Sequence, residues 1–152
     1  MKFLSSAFRL ATWLSLLGWI VLLGFPLWPA PGRMIVLGIS VAMLCTLYCY
    51  LLIAGRRHDE PGLKVRGHFF SLDGVINLFK SPRVVLAGWV HFLAFDLMVG
   101  LYIVTDAARH GMSHWLLVPV LLLTLMFGPV GLLLYLLLRF VRTGSGVLFD
   151  AG

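Results

Sequence analysis

Four apolar stretches of about 20 residues each account for most of a chain of 152 residues. They run from about Leu10 to Trp28, Met34 to Ala54, Val84 to Thr105 and Leu116 to Leu138. A helix needs about 20 mostly apolar residues to cross the hydrocarbon core of a bilayer. The sequence therefore predicts an all-α membrane protein with four transmembrane helices in one polytopic domain, residues 1–152.

Composition excludes a soluble enzyme. Hydrophobic residues make up 61% of the chain and charged residues 12%, whereas soluble domains carry roughly 25% charged residues. The net charge of +6 would suggest nucleic acid in a polar chain, but in a membrane protein it is interpreted by loop. We expect no nucleic-acid partner, and membrane lipids around the helices.

Basic residues predict the orientation, because cytoplasmic loops are enriched in Lys and Arg. Arg33 and Arg109 lie on one side, while Trp28 and Trp115 are placed to anchor that side at the interface. The other side carries Lys2, Arg9, Arg56, Arg57, Lys64, Arg66, Lys80, Arg83, Arg139 and Arg142. Both termini and the long middle loop are therefore predicted to be cytoplasmic.

The middle loop contains a second helical pattern over residues 71–80. Apolar residues recur at helical spacing, Ser71 is placed to cap, Asp73 falls in the first turn, and Ser81-Pro82 is expected to end the helix. At 1.5 Å per residue this segment is too short to cross a bilayer core of about 30 Å. We predict a cytoplasmic amphipathic helix that lies in the interface or folds back against the bundle.

The two cysteines lie within one apolar stretch, four residues apart. Cys45 and Cys49 point the same way on a helix and cannot form a bridge without distortion. We interpret them as packing residues, and we expect neither a metal site nor any other cofactor.

Asp96 and His91 are ionisable residues inside the third stretch. A central aspartate costs about 2.5 to 3.5 kcal/mol on insertion scales, so Asp96 should face the bundle interior and find a partner or a proton. His91 lies about 140° around the helix from Asp96, so a direct hydrogen bond is not expected. They are the candidate catalytic residues, and the alternative is that both hold helices together.

The fourth stretch contains Pro129, which removes a backbone donor and should kink the helix. In an antiparallel crossing, Gly128 and Gly131 would lie opposite the polar residues of the third stretch. Either the two glycines let the helices approach closely, or they leave room for a ligand beside the kink.

Other polar groups are weaker candidates. Thr124 and Tyr135 are placed to satisfy Asp96 or His91, although hydroxyls in membrane helices often bond their own backbone. A solvated cluster is the expected state of the polar residues in the short outer loop, which are Asp106, Arg109, His110 and His114. His58 and His68 in the basic loop are weaker candidates still for a functional role.

Three segments together resemble a known family. They are Trp89-x-His91-x-Leu93-x-x-Asp96-Leu97, Gly128-Pro129-Val130-Gly131 and Phe70-Ser71-Leu72. The pattern resembles the membrane proteins related to plant neoxanthin synthase, the abscisic-acid-deficient-four-like family. The resemblance covers roughly the second half of the second stretch to the end of the fourth.

The resemblance implies an integral membrane protein that, in plants, is required for converting violaxanthin to neoxanthin in plastid membranes. It carries no established catalytic residue. This chain begins with an apolar helix after a short basic segment, without a transit-peptide-like extension, so we expect a bacterial inner (cytoplasmic) membrane protein rather than the plant form.

Opening an epoxide to an allenic alcohol is a redox-neutral isomerisation that needs an acid and a base but no nucleotide or metal. A protonated Asp96 and a neutral His91 would suit this chemistry. The residues predicted to line the substrate are Trp89, Phe92, Phe95, Thr124, Phe127, Gly128, Pro129 and Gly131.

The first hypothesis is thus an isomerase of a carotenoid or isoprenoid lipid. The second is a non-catalytic subunit that binds a lipid, a pigment or a partner protein, with a homo-oligomer or a membrane enzyme as its assembly. The third is a proton or ion pathway, suggested by Asp96 and His91 beside a proline-broken helix.

Overall fold

The structure is a computed structural model that describes residues 2–27, 29–59 and 67–144. The described residues are mostly helical and contain no strand. Four helices are long and apolar enough to cross a membrane, so the predicted all-α class is confirmed. Trp28, Lys64 and Arg66, which entered the predictions of anchoring and orientation, lie outside the described residues.

The second apolar stretch is composite, because a π-helical segment at Ile35–Val41 joins two α-helices into one rod spanning Ala30–Ile53. The helices in chain order are α1 (Lys2–Leu23), α2 (Pro29–Met34), α3 (Ala42–Ile53), α4 (Leu72–Leu78), α5 (Pro82–Arg109) and α6 (His114–Thr143).

Helix α5 is the centre of the bundle and contacts α1, α3 and α6. Small residues bring α1 and α5 together: a Cβ on Gly100 would lie 2.8 Å from Leu22 and 3.0 Å from Trp19. The two helices run parallel, since Phe8 stacks on Trp89 near their starts and Leu22 meets Gly100 near their ends. We call the end where α5 begins the basic end, and the end where it finishes the distal end.

Arg83 ties the start of α5 to the end of α3. Its buried guanidinium donates to Asp59 Oδ1 and to the Leu51 carbonyl, each at 2.9 Å. Asp59 is mostly buried in this ion pair. The charge of Arg83 is therefore neutralised within the protein.

The amphipathic helix forms within its predicted range as α4. Ser71 caps it by accepting a hydrogen bond from Gly74 N at 3.1 Å, and Asp73 lies in its first turn. Pro82 does not simply end this helix, because it occupies the first turn of α5. Large apolar side chains on and before α4 are exposed, as an interfacial helix requires; they are Phe69, Phe70, Leu72 and Ile76.

Cys45 and Cys49 share a face, as predicted, but that face is the outer surface of the bundle. Both thiols are unbridged and exposed. The prediction that they are packing residues is wrong, because the side of α3 on which they lie is not covered by another helix.

Helix α6 folds back on itself at Phe127, whose φ of −142° and ψ of 49° are not helical. In a straight helix, residues seven apart are about 10 Å apart. Here a Cβ on Gly131 would lie 2.5 Å from Thr124 Cα. The segments before and after Phe127 therefore lie side by side.

Contacts along α5 give the direction of each half of α6. The first half (114–126) begins at the distal end, where His114 Nε2 lies 2.8 Å from the Leu23 carbonyl. Gly128 reaches Asp96 at mid-helix, and Tyr135 then pairs with Asp106, back near the distal end. The second half (128–143) thus returns toward the end from which the first half came.

This course differs from the single antiparallel crossing predicted for the fourth stretch. Each half has roughly 13 to 16 residues, or about 20 to 24 Å, which is shorter than a bilayer core of about 30 Å. Arg139 lies beside His110 at the distal end rather than with the N-terminus. The physical reason is that the backbone break at Phe127 and Pro129 is a reversal rather than a mild kink.

Candidate functional site

Asp96 lies at the middle of α5, about 20 Å from either end. It is 6% exposed, and its Oδ2 atom is buried with no hydrogen-bond partner among the described residues. Buried polar groups without partners are rare and costly, more so where no water is available. Its predicted inward orientation is present, whereas a protein partner for Oδ2 is not.

Gly128 faces the Asp96 carboxyl group across the contact between α5 and α6. A Cβ at position 128 would overlap Asp96 Oδ1 and lie 2.8 Å from Cγ. Only glycine leaves room for the carboxyl group at this separation. We call the turn of the folded helix, residues 127–131, the apex of α6. The apex therefore lies directly against the carboxyl group of Asp96.

The apex also starts a new helix, since residues 128–143 are helical after the break at Phe127. Pro129 suits this position because the first helical residues have no intrahelical acceptor for their N–H groups. The N-terminal end of a helix carries a partial positive charge. That charge lies beside Asp96, as in the discontinuous helices of membrane transporters.

Gly131 and Thr124 pack on each other across the reversal. Thr124 is fully buried, and its hydroxyl donates to the Val120 carbonyl at 2.8 Å. This backbone bond is the alternative anticipated for Thr124, whose hydroxyl does not bond Asp96. Gly128 and Gly131 both pack closely against a neighbouring residue. This supports the close-approach interpretation of the two glycines rather than the one in which they leave room for a ligand.

His91 lies on the outside of the bundle, away from the face that holds Asp96. Its side chain is exposed and stacks on the Phe95 ring at 4.4 Å, with the Tyr48 ring at 5.6 Å. No hydrogen bond joins it to Asp96 in the described part of the chain. The two candidate catalytic residues are therefore not brought together.

The predicted lining residues separate into groups. Phe127 and Pro129 are exposed at the apex beside buried Gly128 and Gly131, and Phe95 is exposed on the His91 face. Trp89 lies nearer the basic end, stacked between Phe8 and Phe92 at 6.0 and 5.8 Å. The apex group contacts Asp96 through Gly128, whereas Trp89 and Phe92 do not belong to it.

A buried network near the distal end was missed in the sequence. Tyr135 donates to Asp106 Oδ2 at 2.5 Å, and Arg139 Nε lies 2.9 Å from the same oxygen in an ion pair. His110 Nδ1 lies 2.8 Å from the Asp106 carbonyl, and its Nε2 is 3.4 Å from Arg139 Nη2. We call Asp106, His110, Tyr135 and Arg139 the distal network.

The distal network corrects several expectations. Asp106 is 5% exposed and Arg139 is 1% exposed, so neither side chain is solvated. Tyr135 donates its hydrogen bond to Asp106 rather than to Asp96. His114 bonds the end of α1 and does not join His110. One available signal was that Asp106 and Arg139 are opposite charges that directly follow the third and fourth apolar stretches, because charges bordering a membrane span often pair.

Comparison with known proteins gives one match. A family model described as ABA DEFICIENT 4-like matches residues 6–135. The matched range includes Asp96, the apex of α6 and Tyr135 of the distal network. No curated protein and no solved structure matches the chain.

Proposed function

Because this chain belongs to the ABA DEFICIENT 4-like family, we propose that it acts on a carotenoid or related isoprenoid lipid as a redox-neutral isomerase, with Asp96 as its proton-transfer group. The observation that supports the proposal is the buried Asp96 Oδ2, which has no hydrogen-bond partner in the described part of the chain. A carboxyl group left unpaired in an apolar interior is a candidate functional group rather than a structural one. We further propose that the protein resides in a bacterial cytoplasmic membrane.

One carboxyl group can supply both proton transfers of an epoxide-to-allene isomerisation. Protonated Asp96 gives its proton to the epoxide oxygen as the C–O bond breaks and the O–H bond forms. The resulting carboxylate takes a proton from the adjacent polyene carbon as the new C=C bond forms. Substrate and product are isomers, and Asp96 ends the cycle protonated.

The apex of α6 favours the intermediate stage of this cycle. While the carboxylate is ionised, the N-terminal end of residues 128–143 offers it a partial positive charge. Such oriented dipoles need little reorganisation during the reaction. The contact with Gly128 holds the carboxyl group close to that end.

A long apolar substrate would reach this site from the bilayer. Phe127 is 58% exposed, and Met126 is more exposed still. These side chains offer an apolar surface beside the apex on which a polyene can lie, with its oxygen directed at Asp96. Lateral access of this kind needs no aqueous pocket.

The non-catalytic subunit is the second candidate, and the position of His91 favours it. Exposed His91 and Phe95 form a ring surface suited to holding a pigment, a lipid or another membrane protein. In this case Asp96 would hold helices together. The two candidates differ in whether a protonatable group is needed at position 96.

The test expresses the chain in cells that accumulate violaxanthin and analyses pigments by chromatography with mass detection. We expect a product of neoxanthin mass, and its loss by at least about 100-fold in Asp96→Asn, the lower end of the range for removing one acid–base group. Asp73→Asn removes an exposed carboxylate from α4 and is the matched control.

Two further variants separate the candidates. His91→Ala should retain the product if Asp96 performs both transfers, and its loss would return His91 to the role of base. If Asp96→Asn remains active while Asp96→Leu fails to assemble, the residue is a helix contact and the isomerase proposal is wrong. Membrane insertion of each variant is measured alongside.

A further inference from the structure

A groove of about 650 Å³ opens between α1 and α5 near the basic end. Buried Leu4 contributes to its floor, and the stacked rings of Phe8 and Trp89 form an apolar side. Its volume lies within the range typical of ligand sites, about 300 to 1,000 Å³. The groove is separate from Asp96, since no residue of the α6 apex lines it.

Arg9 lies at the edge of the groove and is its only charged lining residue among those described. It is seven residues along α1 from Lys2, or about 10 Å inside the start of the helix. Its side chain is exposed, and its hydrogen bond is to Ser6 Oγ at 3.5 Å. Arg9 directly precedes the apolar stretch that begins at about Leu10, a position from which its guanidinium can pair with an anion at the membrane surface.

The described acidic residues do not supply that anion. Asp59 is paired with Arg83, Asp106 with Arg139, and Asp96 lies buried at mid-helix. Asp73 lies in the first turn of α4 and does not line the groove. An anion that pairs with Arg9 would therefore come from outside the described residues.

We infer that the groove binds an anionic glycerophospholipid, with its phosphate on Arg9 and one acyl chain along Phe8 and Trp89. Basic pockets between transmembrane helices on the cytoplasmic side characteristically recruit anionic headgroups. Arg extends its polar end toward the headgroup region while its methylene groups lie on apolar surface. The inference does not depend on the proposed isomerase.

The experiment titrates purified protein with dioleoyl phosphatidylglycerol or dioleoyl phosphatidylcholine and counts bound lipids by native mass spectrometry. We expect phosphatidylglycerol to bind more tightly, and Arg9→Gln to weaken it by about fivefold, since a membrane-proximal cation contributes about 1 kcal/mol. Arg33→Gln removes the same charge from the distal end and should leave binding unchanged.

Three results would overturn the inference: equal binding of the two lipids, equal losses in both variants, or displacement of phosphatidylglycerol by inorganic phosphate alone, which indicates a free-anion site. If Arg9→Gln does not fold, Arg9→Lys replaces it and should retain most of the preference for the anionic lipid. Occupation by a second copy would appear as a dimer lost on Arg9 substitution, and would also contradict a lipid site.

Discussion

The two buried aspartates of α5, Asp96 and Asp106, differ in their hydrogen-bond partners. Asp106 is an acceptor for Tyr135 and an ion-pair partner of Arg139, so its charge is compensated within the fold. Asp96 has a buried oxygen with no described partner and lies against Gly128. The fold therefore accounts for the buried charge of Asp106, whereas the described residues give Asp96 Oδ2 no hydrogen-bond partner.

Gly128→Ala tests the contact at the apex. The added methyl group would overlap the Asp96 carboxyl, so we expect a loss of about 1 to 3 kcal/mol, typical of overpacking. Thermal unfolding in detergent, followed by circular dichroism, measures the loss. Gly38→Ala is the matched control, because a Cβ there meets nothing within 4 Å.

The expected result is a lower unfolding temperature for Gly128→Ala and little change for Gly38→Ala. Adding Asp96→Ala to Gly128→Ala should remove part of the penalty, since the double variant no longer holds the overlapping carboxyl group. Equal stability of the two glycine variants would contradict the close approach.

At the scale of elements, α6 is two half-helices joined at Phe127. Gly131 on Thr124 closes the reversal, and the distal network attaches the second half to α5. Neither half of α6 is long enough to cross the hydrocarbon core of a bilayer by itself. The break therefore positions a helix start inside the membrane, where a straight helix would have none.

Labelling of single cysteines tests the reversal. In a Cys45→Ala, Cys49→Ala background, Arg142→Cys should react with an impermeant maleimide from the same side as Arg109→Cys, because both lie near the distal end. Lys80→Cys, on α4's side of the membrane, should react from the opposite side. All three native side chains are exposed.

Labelling in right-side-out and in inverted vesicles measures the accessibility of each cysteine from the two sides of the membrane. Reaction of Arg142→Cys from the same side as Lys80→Cys would instead indicate a single straight crossing. That outcome would also separate Arg139 from His110 and contradict the distal network.

At the scale of the whole molecule, the charge asymmetry is smaller than the sequence predicts but keeps its direction. The distal end holds Arg33, Arg109, Arg139 and Arg142, of which Arg139 is neutralised by Asp106. The described basic residues at the other end are Lys2, Arg9, Arg56, Arg57, Lys80 and Arg83, of which Arg83 is neutralised by Asp59. The positive-inside rule therefore still predicts that this end is cytoplasmic.

We expect helix α4 to lie on the membrane surface at the basic end. Phe70 is 96% exposed, and an interfacial helix buries such side chains about 5 to 10 Å into the headgroup boundary. A nitroxide label at position 70 should meet oxygen more often than a water-soluble nickel chelate. A label at Asp73, in the first turn, is the control and should show the reverse.

Electron paramagnetic resonance in vesicles measures both collision rates. If both labels are equally accessible to the chelate, α4 lies in water and its apolar side chains need another partner. The measurement thus fixes the depth of the molecule as well as the position of one helix.

Much of the fold could be predicted from local patterns. The four apolar helices, the Ser71 cap and the inward orientation of Asp96 each follow from windows of a few to about 20 residues. The outward positions of Cys45 and His91, and the π-helical segment Ile35–Val41, could not, because they depend on which face of a helix its neighbours cover.

The sequence by itself determined that this is a membrane bundle with a carboxyl group at mid-depth, because the cost of burying polar groups in lipid is set by composition and length. Only the tertiary structure decided the course of α6. Pro129 permits either a kink or a reversal, and the choice depends on contacts between residues far apart in the chain. Tyr135 and Asp106, 29 residues apart, make such a contact, and it holds the second half of α6 along α5.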